Sequence, residues 1–253
     1  MATFVDQDHI VRKIWGKADT ILFIFAGSAA EFALNKAVDW LYFTGKLPAD
    51  PLGRLFSTVA YARQIIFSDN DDAIRAIDKI TAIHQGVEQA RGAQIPDWAY
   101  RDVLFMLIDY SIRSFELLER KLTIQEKADI FDVFNRVGLQ MKLSGLPAGY
   151  LQWQQMREQH MQQDMISSEF TVDLYRQYKK HLGVIRYLLL KQVQIMVTPR
   201  RVSRLLNLGR VPFMLPVLAV YKVFRMIKLE GLLKDALLPL KYKSQIKALD
   251  LVL

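Results

Sequence analysis

Cysteine is absent from all 253 residues, and histidine occurs only four times. The missing thiols exclude disulfides, thiolate metal sites and a cysteine nucleophile, and they fit a reducing compartment. Long hydrophobic runs are missing too. The apolar segment Thr20–Leu34 is interrupted by Glu31, and Val211–Tyr221 stops at Lys222. Neither reaches the ~18–20 apolar residues that a bilayer span requires. The first residues carry Asp6 and Asp8 rather than the basic-then-apolar order of a signal peptide, so a cytoplasmic protein is the expectation. There is no Gly-x-x-x-x-Gly-Lys-Ser/Thr, Gly-x-Gly-x-x-Gly, Gly-x-Ser-x-Gly or His-Glu-x-x-His sequence. The familiar phosphate-loop, dinucleotide, serine-hydrolase and zinc-protease chemistries are therefore not indicated.

Apolar residues make up 51% of the chain and charged residues 24%, the balance of a globular protein with a sizeable core. The net charge of +8 is unevenly spread. Residues 171–253 carry 16 Lys/Arg against 4 Asp/Glu, a net of +12, which leaves residues 1–170 at −4. No zinc-finger, RNP or KH pattern accompanies this basic third, and nucleic acid is not an expected partner. Two readings stand: solvated helix faces, or peripheral contact with an anionic membrane surface.

Helical spacing dominates and strand alternation is scarce. An amphipathic start over Asp6–Gly16 leads to an apolar segment from Thr20, expected to break at Ala26-Gly27-Ser28 and to end at Gly45 and Pro48. Asp50-Pro51-Leu52-Gly53 reads as a turn before a helix over Arg54–Phe67. Ser68–Asp71 offers capping oxygens to a helix from Asp72 to Arg91, with Ile74, Ile77, Ile80, Ile83 and Val87 on one stripe. The helix Trp98–Arg120 is apolar all round between Val103 and Ile108, which marks it as central. Thr123–Glu126 is a capping box. Leu151–Met165 and Phe170–Met196 read as long amphipathic helices, Thr198-Pro199 starts a shorter one, and Leu215–Lys228 is helical and basic. The fold expected is all-α: a single multi-helix orthogonal bundle over 1–253 with a buried central helix.

Of the histidines, His84 shares a helix face with Ile77, Ile80 and Val87 and should point inward. It is either a core histidine satisfied by a polar neighbour or a metal ligand, since a neutral imidazole in an apolar helical pocket suits haem iron. Gly86 would permit close approach of a helix or flat ligand. Asp109 and Arg113, four apart in the most apolar helix, should pair, either as a structural ion pair or with Asp109 as a pocket acid–base group. Arg54 and Thr58, also four apart, make either a surface interaction or an anchor for an anionic group.

Four stretches fall in order along the chain: Ala26-Gly-Ser-Ala-Ala-Glu-Phe-Ala-Leu34, Asp50-Pro-Leu-Gly-Arg-Leu-Phe-Ser-Thr58, Ile83-His-Gln-Gly-Val87 and Leu104–Ser114. Together they resemble the family of mpaB-type oxygenases and latex-clearing proteins (rubber oxygenases), over roughly Ala26–Met165. The resemblance implies an all-α fold around haem b, with dioxygen and an apolar small molecule as reactants. On it, His84 matches the iron ligand, and Arg54 and Thr58 match the family's Arg-x-x-x-Thr; Asp109, from its own helix, is a candidate polar and catalytic group nearby. The chain has Ser57 where rubber-cleaving members have lysine, Asn35-Lys36 in place of His-Pro, Ile108 in place of a histidine, and Thr81 and Glu88 where arginines are common. These departures keep the fold and argue against rubber cleavage. The expected function is a haem-b-binding, oxygenase-like protein. The alternative is a cofactor-free helical protein of the same fold that docks on a membrane or a partner through residues 171–253.

Overall fold

The computed structural model describes residues 2–45, 49–209 and 211–226, and within them the chain is an orthogonal bundle of α-helices without strands. The helices are α1 (Ile10–Trp15), α2 (Ala18–Phe32), α3 (Val38–Phe43), α4 (Pro51–Phe67), α5 (Asn70–Arg91), α6 (Asp97–Leu118), α7 (Ile124–Gln140), α8 (Tyr150–Gln163), α9 (Glu169–Val197), α10 (Arg200–Leu205) and α11 (Leu215–Met226). Two isolated backbone bridges, Thr3 with Asp69 and Asn35 with Met165, tie loops together.

The centre is the pair α2–α6, the most extensive helix–helix contact among the described residues. The apolar all-round sequence of α6 has this cause: Leu104, Phe105, Met106, Ile108, Tyr110, Ile112 and Phe115 are all buried, against α2 on one side and α7 and α8 on others. Gly27 does not break α2, contrary to the sequence reading. The helix runs unbroken from Ala18 to Phe32, and Gly27 is there because the Tyr110 ring lies against it; a Cβ at that position would overlap the ring. A small residue thus sets the distance between the two central helices. Trp15, fully buried, donates from Nε1 to Ser111 Oγ at 3.1 Å and pins α1 to the same helix.

Local signals account for most helix ends. Asp69 Oδ1 accepts from the Asp72 backbone N–H at 2.9 Å, and Thr123 and Glu126 form the reciprocal capping box expected of them. Asp50 is a correction: it is the N-cap of α4 rather than part of a free turn. Its carboxylate accepts from Gly53 N–H at 3.0 Å, and Pro51 occupies the first helical position, where its missing N–H costs nothing. Of the expected apolar stripe of α5 only Ile77 is buried, beside Ala73 and Ala76; Ile74, Ile80 and Val87 are half-buried and Ile83 is exposed. That leaves the second half of α5, which carries His84, on the flank of the bundle.

The largest departure is α9. Thr171 Oγ1 donates to the Ala33 carbonyl and Gln194 Nε2 to the Ala26 carbonyl, two points seven residues apart on α2. A straight helix would place residues 171 and 194 about 34 Å apart, so α9 must fold back. It does so at Gly183, whose φ of 73° and ψ of 172° lie outside the helical region. Tyr175 OH then donates to Gln194 Oε1 at 2.9 Å across the two arms. Helical periodicity is identical on both arms, which is why it reads as one helix in sequence. The basic segment expected to be helical to Lys228 is helical to Met226, and its remainder lies outside the described residues.

Candidate functional site

Two histidines sit at the places where chemistry could occur, and they belong to different regions. The sequence-predicted group lies on the antiparallel pair α4–α5. Arg54, in the first turns of α4, donates from Nη1 to Ser57 Oγ and Thr58 Oγ1, both at 3.2 Å, and Thr58 Oγ1 in turn donates to the Arg54 carbonyl. The guanidinium is thus oriented by its own helix. It has no carboxylate partner among the described residues, and burial lowers its proton affinity while Tyr61 opposes the change.

His84 packs edge-on against the Tyr100 ring, with centroids 5.2 Å apart. Its Nδ1 is buried and has no hydrogen-bond partner among the described residues. Burial first, then the Arg54 charge, depress its pKa below 6.5, while Glu88 opposes them. The ring is therefore neutral at neutral pH and keeps an unused lone pair or N–H. The Arg54 charge reaches His84, and Thr58 bonds to Arg54, so the three residues share one neighbourhood. Gly86 is exposed and an added Cβ would meet nothing, so it leaves room rather than forming a tight cradle.

Asp109 belongs elsewhere. It pairs with Arg113 as expected, Nε to Oδ1 at 2.8 Å, but its other oxygen receives Arg157 Nη2 at 2.9 Å and Nε at 3.2 Å. Arg157, on α8, also grips Glu31 of α2 with both terminal nitrogens, Nη2 to Oε2 at 2.6 Å. Tyr110 OH donates to the same Oε2 at 2.8 Å. Glu31 is fully buried, which alone would raise its pKa, yet Arg157 and His160 hold it down at about 2. The network continues outward through His160: Nε2 faces Glu31 Oε1 at 3.1 Å, and Nδ1 faces Asp102 Oδ1 at 2.7 Å and Asp164 Oδ2 at 3.4 Å. Asn35 Nδ2 donates to the other Asp102 oxygen at 3.0 Å. Burial disfavours charge on His160, but Asp102 and Glu31 overcome it and raise the pKa to about 9.

Sequence reasoning missed this second group, although it contained the signals. Glu31 is a carboxylate inside an apolar run. Arg157, His160 and Asp164 recur at helical spacing with the buried Trp153 and Met161, but α8 is polar nearly all round, so no apolar stripe marks its inward face.

The positions where the chain departs from the rubber-cleaving pattern have structural uses here. Glu88 accepts from Ile95 N–H and Tyr100 OH and closes the loop after α5. Thr81 bonds to its own helix, Ile108 is core, and Ser57 receives Arg54. A surface cleft of ≈ 440 Å³ lined by Lys13, Lys17, Phe115, Glu119 and Arg120 shares no residue with either histidine's surroundings. No helix among the described residues is long and apolar enough to cross a membrane.

The family model described as "ER-bound oxygenase mpaB/B'/Rubber oxygenase, catalytic domain" matches residues 15–226, well beyond the Ala26–Met165 stretch that carries the sequence resemblance. No curated protein and no solved structure matches the chain.

Proposed function

Since the chain belongs to the mpaB-type and rubber oxygenase family, we propose that it is a haem-b-dependent oxygenase acting with dioxygen on an apolar small molecule, with His84 as the iron ligand. The observation that carries the reading is a buried ring nitrogen without a partner, close enough to a partly buried guanidinium to feel its charge. His84 is a neutral imidazole with a buried, unpartnered Nδ1, and Arg54 is a partly buried cation with no carboxylate partner among the described residues. Buried polar atoms normally find partners, and the free Nδ1 beside a cation that lacks a carboxylate suits a ligand carrying both a metal and an anionic group. A group offering both a metal and a carboxylate satisfies both.

His84 would hold the iron, Arg54 would receive a propionate, and Thr58 would keep the guanidinium aimed through the 3.2 Å bond it accepts. Bound haem would supply dioxygen activation and electron transfer, which the side chains around His84 do not offer by themselves. Tyr100, edge-on to the imidazole, limits its rotation, and burial around the ring keeps it unprotonated and able to bind metal. Ser57, short and hydrogen-bonded to Arg54, leaves free the position where rubber-cleaving relatives carry a lysine. An apolar substrate accords with the family's description, one branch of which acts on rubber.

The test is purification of the full chain with excess haemin. A Soret band at one haem per chain is expected, lost in His84→Ala at unchanged helicity and weakened in Arg54→Met. A wild type that takes up no haem, or an alanine variant with unchanged stoichiometry, overturns the reading.

A second reading, a cofactor-free protein docking on an anionic membrane from the cytoplasmic side, is favoured by one feature. The turn of the α9 hairpin exposes Val184, Ile185 and Leu188 beside the exposed Lys179 and Lys180. Apolar tips flanked by lysine suit anionic headgroups. Binding to phosphatidylserine liposomes that rises with anionic lipid and falls with salt supports it; binding indifferent to both removes it.

A further inference from the structure

The outer end of the buried network holds three metal-ligating atoms that the haem reading does not use. His160 Nδ1, Asp102 Oδ1 and Asp164 Oδ2 all lie within 4.8 Å of one another, with Nδ1 at 2.7 and 3.4 Å from the two carboxylates. From this geometry we infer that Asp102, His160 and Asp164 form a binding site for one divalent transition-series cation, such as Zn²⁺ or Mn²⁺. The site is independent of the one at His84 and shares no residue with it.

The donor set selects the ion. One imidazole nitrogen and two carboxylate oxygens suit Zn²⁺, Mn²⁺ or Fe²⁺, whereas Ca²⁺ wants six to eight oxygens and Mg²⁺ keeps most of its waters. Three protein ligands leave at least one position for water. That position has a route to solvent because the Asp164 side chain is partly exposed, while His160 and Asp102 are buried.

The surroundings hold the ligands as metal sites usually require. The remaining polar atoms of His160 and Asp102 are already committed to a second partner, and Asp164 is held through its backbone. Buried Glu31 faces His160 Nε2 at 3.1 Å, which fixes the ring so that Nδ1 is aimed at the two aspartates, and a cation there would displace the Nδ1 proton. Glu31 is itself fixed by Arg157 and Tyr110. Asn35, whose Oδ1 accepts from Ala37 N–H at 2.8 Å, can only offer its amide N–H to Asp102. The Asp164 backbone is pinned where its carbonyl accepts from Lys36 N–H and where Leu34 receives Ile166 N–H. A cation here would also offset a surplus of negative charge. Arg157 and Arg113 pair with Glu31 and Asp109 alone, so among the described residues Asp102 and Asp164 have only His160 as a cationic neighbour.

The test uses the full chain stripped with chelator and then titrated calorimetrically with Zn²⁺, Mn²⁺ or Mg²⁺, with thermal melts alongside. One saturable Zn²⁺ or Mn²⁺ per chain is expected, with Tm rising as the metal concentration rises and Mg²⁺ much weaker. Asp164→Asn is the primary variant, since Asp164 is the most exposed ligand and its contact with His160 is long. It should fold as wild type and lose at least about tenfold in affinity, while His9→Ala should bind as wild type. X-ray absorption on the Zn²⁺-loaded wild type gives a readout that needs no variant: one imidazole nitrogen among oxygen donors is expected. No saturable binding, undiminished affinity in Asp164→Asn, or a first shell without imidazole overturns the inference. Haem content should be unchanged by stripping, so failure here is separable from failure at His84.

Discussion

His84 and His160 both lie on helices and both carry buried ring nitrogens, yet their surroundings are opposite. His84 sits on the flank of the bundle beside a cation, with Nδ1 unpartnered and its proton affinity depressed. His160 lies between α2, α6 and α8, with carboxylates at both nitrogens and its pKa raised to about 9. The first region lacks partners and the second is crowded with them. A buried group left without partners costs stability and is kept where something else completes it. A dense network resists removal of any single member, because each deletion strands the others.

The sharpest way to break this contrast is Arg157→Met. It would leave Glu31 and Asp109 buried without their main counter-charge, and a loss of about 3–5 kcal/mol is expected. That is a large share of a marginal stability, and urea denaturation measures it. His84→Gln, the matching change in the sparse region, should cost far less. Similar losses for the two would mean that the His84 neighbourhood is an ordinary part of the core.

The second prediction concerns pH, in chelator-treated protein. Because the folded pKa of His160 is raised from 6.5 to about 9, its stabilisation is fully present below pH 6.5 and is lost as pH rises through about 9. Stability should therefore fall across that window, and His160→Gln should flatten the slope while lowering the plateau. Glu31 acts at the other extreme. Its pKa is depressed from 4.5 to about 2, so its contribution holds above 4.5 and is lost as pH falls through 2. A wild-type profile flat between pH 6.5 and 9 would show that His160 carries no proton in the fold.

A smaller effect is expected at the junction of the central helices. Gly27→Ala forces the Tyr110 ring aside, and with it the hydroxyl that donates to Glu31. Overpacking of this kind costs about 1–3 kcal/mol. If the loss is confined to packing, the pH profile of His160 should survive; if Tyr110 is part of the network, the slope should shrink with it.

How far these features were legible in the sequence follows from their physics. Caps and periodicity act over three or four residues, so Asp69, Thr123 and the buried face of α6 could be read directly. Helical spacing singled out Arg54, Thr58 and His84, and the resemblance of their stretches to a family supplied the cofactor role. The turn at Gly183 was hidden, because nothing in a helical pattern says that a glycine has left the helical region. Gly27 misled in the other direction: its reason is Tyr110, 83 positions away in the chain. The Glu31–Arg157–His160 network was invisible as a unit because it joins three helices, and a charged residue at an inward position reads locally as a surface one.

The smallest effect is electrostatic. Arg54 has no carboxylate partner among the described residues, so Arg54→Met removes a desolvated charge without stranding an opposite one. The change in stability should stay within about 0.5 kcal/mol. Its signature lies instead in the titration of His84, followed by the ring proton resonances in haem-free protein. Burial is the larger cause of the depressed pKa and the Arg54 charge the second, so the variant's pKa should rise yet remain below 6.5. The same sign governs stability. A histidine depressed in the fold destabilises it as pH falls below 6.5, and removing Arg54 should soften that loss. His160 is held by its own carboxylates, so its titration near 9 should not move. A His84 resonance unaffected by Arg54→Met would separate the two residues electrostatically and remove the coupling on which the haem reading depends.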